Sequence, residues 1–160
     1  MSKREEKNLG ELTIENAELM FMNLSGNKSQ FNPLGARGFS VRLSVEQGKQ
    51  MEEDGWNVKP LYARDEMGGR TKDIEAYHLP CAVRYDKFPP KIYLITDANK
   101  TLLGENEISM LDSADIENVD LILNPSRYDN KRLQGTGIKA YVKSMYVKIR
   151  EDGLMKKYGY

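Results

Sequence analysis

The last third of the chain carries the pattern that most restricts its fold, which is a pair of long β-strand signals joined by a polar, basic connection. Apart from Asp120, residues 119–123 are apolar and include the β-branched Val119 and Ile122, and residues 138–149 run without Gly or Pro. We predict that the first strand ends at Pro125 and that residues 126–136 form a polar turn region. The two segments therefore predict a long hairpin that closes the sheet.

The second of these strands alternates and then changes phase. Its first half has two sides, with Ile138, Ala140 and Val142 on one and Lys139, Tyr141 and Lys143 on the other. The apolar positions that follow are Met145, Val147 and Ile149. One extra residue near Ser144, a β-bulge, would explain the shift. A bent strand with a Lys-Tyr-Lys outer side suits a small barrel that binds a charged, stacked polymer, and an ordinary solvated sheet side is the alternative.

Composition and charge indicate one globular domain with an uneven distribution of charge. The 160 residues are 30% charged and 39% hydrophobic, and their formal net charge is zero. Residues 105–120 nevertheless hold six acidic and no basic side chains, whereas residues 124–150 hold seven basic and one acidic. Local charge steers a polyanion more than net charge does. We therefore expect anion binding near the closing hairpin.

Cysteine content and hydropathy favour a soluble intracellular protein. Cys81 is the only cysteine, which excludes an intrachain disulfide and fits a reducing compartment. Residues 1–12 lack the apolar centre of a signal peptide, and no stretch reaches the roughly 18 apolar residues of a membrane helix. We expect a flexible N-terminal arm over residues 1–13, one domain over 14–150 and a C-terminal tail over 151–160.

Together with the hairpin, the remaining segments predict about seven strands and two short helices for the whole chain. The expected strands include residues 17–24 (with helix as the alternative), 39–45, and a mutually paired 76–85 and 91–96. We expect helices at 45–54 and 105–114 and a mobile, charged loop at 64–75. This order is consistent with a mostly β, OB-fold-like Greek-key barrel with insertions and one or two short helices.

Residues that could support catalysis are few. His78 and Cys81 form His-x-x-Cys, which is half of a zinc site without further ligands. The acidic group Asp112, Asp115, Glu117 and Asp120 is the best enzymatic alternative, because two-metal nucleases hold Mg²⁺ with clustered carboxylates. A solvated acidic surface is the simpler explanation of that group. We predict no enzymatic activity, no cofactor and no bound metal.

Residues suited to a single-stranded polyanion are more numerous, since such ligands are held by stacking aromatics and by cations that follow the phosphates. The candidates for stacking are Tyr141, Tyr93 and Trp56, with a core role as the alternative for Trp56. The candidates for phosphate contact are Lys139, Lys143, Arg127, Lys131, Arg132, Arg42 and Arg37.

Several segments, in one order over residues 16–149, resemble the single-stranded DNA-binding proteins of bacteriophages that have an oligonucleotide-binding fold. The segments are residues 16–21, 31–32, 35–39, 51–59, 89–92, 110–112 and 137–147. The resemblance implies sequence-independent coating and protection of single-stranded DNA in phage replication or recombination. Other phage replication or recombination proteins are further candidate partners, and the cytoplasm of a bacterial host is the implied location.

The resemblance is incomplete at the C-terminal end, and two other functions stay open. Many such proteins carry an acidic tail that recruits partners, whereas residues 151–160 are not acidic overall. One alternative is a structural or protein-interaction module of a phage complex, which would not bind DNA. The other is a metal-dependent nuclease that uses Asp112, Asp115 and Asp120.

Overall fold

The computed structural model describes residues 10–27, 35–130 and 135–150, and these form nine strands and two short helices. The strands are β1 Leu12–Ile14, β2 Leu19–Asn23, β3 Gly38–Leu43, β4 Lys59–Arg64, β5 Arg70–Ala82, β6 Lys91–Ile95, β7 Lys100–Leu103, β8 Ile116–Asn130 and β9 Gly135–Ile149. The helices are α1 Val45–Glu53 and the 3₁₀ helix Ile108–Ser113. The prediction of a mostly β protein with one or two short helices is confirmed.

Strand β9 is the centre of the sheet. It pairs with antiparallel β8 on one side, and on the other side with parallel β5 and then parallel β6. The hydrogen-bonded order is β1-β8-β9-β5-β3-β2, with β4 added to β5 and β7 added to β6. Over the described residues this path does not close into a complete barrel, and it is compatible with an OB-like fold.

The bulge predicted near Ser144 is confirmed. Ile122 of β8 pairs with Ser144, and the next residue, Leu123, pairs with Val142, so Lys143 is the extra residue in β9. Because of this insertion, apolar side chains on both halves of β9 point to the same core. Ala140, Val142, Met145 and Val147 are all fully buried.

Strand β8 is longer than predicted. The expected end at Pro125 is wrong, because β8 continues to Asn130 and Pro125 pairs with Ala140 of β9. The other neighbour of β8, strand β1, pairs only as far as Leu123. Pro125 therefore lies where β8 is an edge strand, and a proline without an N–H is tolerated there.

The mobile loop predicted over residues 64–75 is also wrong, since most of it belongs to the β4–β5 hairpin. Only residues 65–69 connect the strands, and the Asp65 carboxylate accepts hydrogen bonds from the Met67 and Gly69 amides at 2.9 and 2.7 Å. The tip of the hairpin is exposed on both sides. It therefore has no apolar alternation that could reveal a strand in the sequence.

Two further expectations are corrected by the strand order. Segments 76–85 and 91–96 do contain strands, but β5 and β6 do not pair with each other, since each pairs with β9. The sequence analysis missed β7 and β1, and the predicted boundary of the N-terminal arm at residue 13 is too late because Leu12–Ile14 is β1.

The helices and β2 follow local sequence signals. Residues 19–23 form a strand rather than a helix. Helix α1 begins after a capping box in which the Gln47 amide donates to Ser44 Oγ and the Ser44 amide donates to Gln47 Oε1, both at 3.1 Å. The acidic segment forms the 3₁₀ helix, which buries Ile108 and Leu111. No helix in the described ranges has the length and apolar character to cross a membrane.

Helix α1 packs closely on β5 through Gly48. A Cβ atom at Gly48 would lie 2.2 Å from Cγ of Tyr77, a distance that requires the helix or the ring to move. We expect Gly48→Ala to destabilise the protein by about 1–3 kcal/mol because overpacking outweighs the gain of ~1 kcal/mol in helix propensity. Urea unfolding would measure the change. The control Lys49→Ala, at the next and exposed position, should change stability by less than about 0.5 kcal/mol. Equal stability of Gly48→Ala and the native protein would contradict the packing.

Candidate nucleic-acid interface

One side of β3, β5 and β9 faces away from the core and carries basic and aromatic residues. Alternation places Arg42, His78 and Lys139 on this side, opposite the buried Val41, Leu79 and Ala140. In the sheet register Arg42 pairs with His78, and His78 pairs with Lys59 of β4. We call the side of the sheet that carries Arg42, His78 and Lys139 the groove face.

A groove of ≈ 930 Å³ crosses the groove face between β2 and β9. Its basic lining residues are Arg37, Lys59 and Lys139. Lys59 and Lys139 are exposed and form no ion pair with any residue that the structure describes, whereas Arg37 binds Glu105 at 2.8 Å. The groove therefore presents two cations that are free to meet an anion.

Phe21 is the most exposed aromatic side chain of the described residues, and its backbone is strained. The side chain is 64% exposed and φ is 53°, a left-handed value that bulky residues rarely adopt. The register of β2 against β3 shifts between Met20 and Asn23, so Phe21 lies in a bulge. Its ring reaches across β3 to contact His78 edge-on, with 5.4 Å between ring centroids. Strain of this kind is concentrated at ligand sites.

His78 lies under Phe21 and is held by a buried hydroxyl. Its Nδ1 is 2.8 Å from Oγ of Ser40, which is 4% exposed. Partial burial lowers the pKa of His78, and the nearby Lys59 ammonium lowers that pKa further. The imidazole is therefore mainly neutral at pH 7.

His78 and Cys81 do not form the half zinc site that the sequence suggested. Cys81 lies on the opposite, core side of β5, where burial raises the pKa of its thiol.

The structure buries Tyr141, the leading stacking candidate of the sequence analysis. Its side chain is 5% exposed and the Phe88 ring covers it, with centroids 4.9 Å apart. Phe88 itself is 38% exposed. Its loop is braced by Arg84, which donates two hydrogen bonds to Asp86 at 2.9 and 2.8 Å and so lowers the pKa of Asp86 to about 2. The aromatic surface at this position thus belongs to Phe88.

A third exposed aromatic, Tyr128, lies on the β8–β9 hairpin. Tyr128 pairs with Gly137, and a Cβ atom there would be 2.7 Å from the Tyr128 hydroxyl oxygen, so the ring lies over the glycine. Gly137 is on the same side of β9 as Lys139. In the part of the chain that the structure describes, the exposed aromatic rings are Phe21, Phe88 and Tyr128, and all three are on the groove face.

The other predicted cations are distributed over different surroundings. Lys143 forms an ion pair with Glu11, and Arg42 lies 3.7 Å from Glu18. Arg127 pairs in register with Ile138, which places it on the opposite side of the hairpin from Lys139. Lys131 and Arg132 lie outside the described residues.

The two remaining aromatic candidates are not part of the groove. Tyr93 stacks on Tyr146 with centroids 5.2 Å apart and an angle of 8° between the rings, and Lys100 Nζ lies 4.5 Å from the Tyr93 centroid. Both tyrosines belong to the β6–β9 part of the sheet. Trp56 is half-buried and packs against the core, which was the alternative to a stacking role in the sequence analysis.

The acidic group does not converge on a metal position. Asp112 accepts hydrogen bonds from the Leu24 amide at 2.8 Å and from the Ser25 amide and hydroxyl at 2.9 and 2.7 Å, so it anchors the chain after β2. Asp115 pairs with Arg150, Glu117 with Lys148, and Asp120 accepts from the Asn16 amide. Within the described ranges no cluster of His, Cys, Asp or Glu could hold a metal ion.

Sequence reasoning missed four residues of this surface, namely Phe21, Lys59, Phe88 and Tyr128. Phe21 was counted among the apolar residues of β2, and Tyr128 fell in the predicted turn. For Phe88 the sequence did contain a signal: the residue precedes Pro89 and Pro90, and two prolines make a stiff connection that can hold an aromatic side chain in place. Nothing in the local pattern distinguished Lys59 from other surface lysines.

The environment of His78 predicts its titration. The chain has one histidine, so a single imidazole signal can be followed by NMR. We expect its pKa to lie below 6.5 and to rise in Lys59→Gln, because that change removes the neighbouring positive charge. In the native protein the imidazole binds its proton less tightly than it does in the unfolded chain, so the stability of the native protein should fall as the pH drops below about 6.5. Lys49→Gln is the control and should leave the pKa unchanged. An unshifted pKa in Lys59→Gln would contradict the proximity of the two groups.

Comparison with known proteins agrees with this architecture. The chain is similar to three solved structures of the single-stranded DNA-binding protein from bacteriophage Enc34. The full protein gives a TM-score of 0.52 at 12% identity, covering 91% of this chain and 84% of that one. A C-terminal truncation gives 0.55 at 12% identity, with coverage of 91% and 88%. The complex with single-stranded DNA gives 0.51 at 11% identity, with coverage of 91% and 89%. At sequence identities this low, the structural similarity is evidence for a shared fold alone.

The sequence itself gives the assignment to a family. No curated protein sequence matches the chain. The profile of one family, described as the putative phage ssDNA-binding domain, matches residues 1–160. The whole chain is therefore a member of the phage ssDNA-binding domain family.

Proposed function

We propose that this protein binds single-stranded DNA along the groove face without reading its base sequence. The observation that carries the proposal is that Phe21, Phe88 and Tyr128 share one side of the sheet with Lys59 and Lys139, which form no ion pair within the described ranges. Aromatic rings that stack on bases and cations that follow phosphates are the two requirements of a single-strand site. Membership of the phage ssDNA-binding domain family supports the same function.

Each group has a distinct role in this proposal. The three exposed rings stack on bases, and the two lysines contact the phosphates between them. Tyr141 supports Phe88 from below, with Lys139 Nζ 5.4 Å from the centre of its ring. Stacking is tolerant of sequence because every base has an aromatic face. Bases in a duplex are already stacked on each other, so the same surface discriminates against double-stranded DNA.

The biological setting is part of the proposal. The protein coats and protects exposed single strands during phage replication or recombination, in the cytoplasm of the host, and acts without catalysis. The Enc34 protein, whose fold is similar, has been solved in complex with single-stranded DNA. A protein-interaction module without DNA binding and a metal-dependent nuclease remain the alternatives. The nuclease alternative is the weaker, since the carboxylates that it requires each have a separate structural partner.

Phe21→Ala tests the stacking role directly. We expect it to weaken binding of a labelled oligo-dT by about 1–3 kcal/mol, the usual contribution of one stacked base, and to leave the fold intact because Phe21 is largely exposed. Fluorescence anisotropy measures the affinity. Phe21→Trp should retain binding, since the indole also stacks, and its fluorescence should be quenched by the bound base.

The matched control is Leu102→Ala, which removes an exposed apolar side chain on β7 that does not line the groove. It should bind like the native protein. Native affinity in a folded Phe21→Ala variant would remove Phe21 from the site. No preference of the native protein for the single strand over its duplex would contradict the proposed function itself.

A further inference from the structure

A second groove of ≈ 410 Å³ lies between β3 and the β4–β5 hairpin, and its charged lining is mainly arginine. Its lining residues are Met20, Arg42, Pro60, Leu61, Tyr62, Arg64, Arg70 and Glu75. Three arginines and one carboxylate thus line this small space, and Arg42 also has Glu18 as a partner at 3.7 Å. We call it the arginine groove.

Two of the arginines oppose each other in the sheet. Arg64 of β4 pairs in register with Arg70 of β5, and like charges in this arrangement repel. Neither arginine forms an ion pair with any residue in the described ranges. The Arg70 guanidinium lies 4.1 Å from the centroid of the Tyr62 ring, which fixes its position over the groove. An anion bound between the two arginines would relieve their repulsion.

The hairpin that carries these arginines is well ordered by its own hydrogen bonds. Asp65 accepts from two amides of the turn, and the Thr71 hydroxyl donates to the Ala63 carbonyl at 2.8 Å. These hydrogen bonds order the hairpin backbone, and the Tyr62 ring positions the Arg70 guanidinium, so less conformational entropy is lost when a ligand binds. Guanidinium groups also match a phosphate with paired hydrogen bonds, a geometry that lysine cannot provide.

The arginine groove continues the first groove without a break in the sheet. Arg42, His78 and Lys59 form one row across three strands, with His78 and Lys59 lining the first groove and Arg42 the second. From Lys59 to Arg64 the distance along β4 is roughly 16 Å, at about 3.3 Å per residue. A strand that passes over Phe21 therefore meets Arg42 next and then the hairpin.

We propose that the arginine groove binds the phosphodiester backbone of the same single strand, as a second segment of the site that only longer strands reach. This inference rests on the proposed function, and it adds the path of the DNA across the sheet and a dependence of affinity on DNA length. Short strands occupy the first groove, between Phe21 and Lys139. Longer strands extend over Arg42 and place a phosphate between Arg64 and Arg70.

The test uses the double variant Arg64→Gln/Arg70→Gln in the full chain. The ligands are dT oligonucleotides of about 4–16 nucleotides, which is the range of lengths that one OB fold binds. Affinity is measured by anisotropy across a series of salt concentrations. For long oligonucleotides we expect weaker binding and a log–log salt slope shallower by about 0.7, corresponding to the loss of the one phosphate held between Arg64 and Arg70. For the shortest oligonucleotides that bind, affinity and slope should equal those of the native protein.

The control Lys49→Gln/Lys100→Gln removes the same charge from α1 and β7, outside both grooves, and should leave the slope unchanged at every length. Native affinity of the arginine variant for long strands would overturn the inference and leave the proposed function standing. An equal loss at all lengths would also overturn it, because the arginines would then act through general charge. Failure of the native protein to bind any single strand would instead be a failure of the proposed function.

Discussion

The structure depends on the pairing of β9 along its whole length. This strand is bonded to β8 on one side and to β5 and then β6 on the other, so it joins the parts of the sheet that would otherwise have no common core. The bulge at Lys143 makes this possible, because it bends the strand while keeping Val142 and Met145 buried on the same side. Without the extra residue, one half of β9 would turn its apolar side chains to water.

The surface that we assign to DNA is the other side of the same strands. Because successive residues of a strand point to opposite sides, the strands that bury Leu79 and Ala140 must present His78 and Lys139 outward. Core and binding surface are therefore set by one register. The strained backbone at Phe21 departs from regular strand geometry, and it lies where the ring crosses β3 to reach His78.

Local patterns in the sequence were sufficient for much of the fold. The phase change in β9 predicted its bulge, and the local pattern predicted the helix at 45–54, which the structure shows as α1. The β4–β5 hairpin was missed because its tip is exposed on both sides and so has no apolar period. The continuation of β8 through Pro125 was missed because a proline ends most strands, and its position at an edge is a property of the assembled sheet.

For the binding surface, the sequence by itself determined which residues share a side of one strand, and this placed Lys139 with Tyr141. Only the tertiary structure decided that Phe88 covers Tyr141, that Arg127 faces away from Lys139, and that Phe21 and Lys59 join the groove. The physical reason is that periodicity reports the side to which a residue points within its own strand. The neighbours across strands depend on strand order and on loop packing between residues far apart in the chain, which no local pattern encodes.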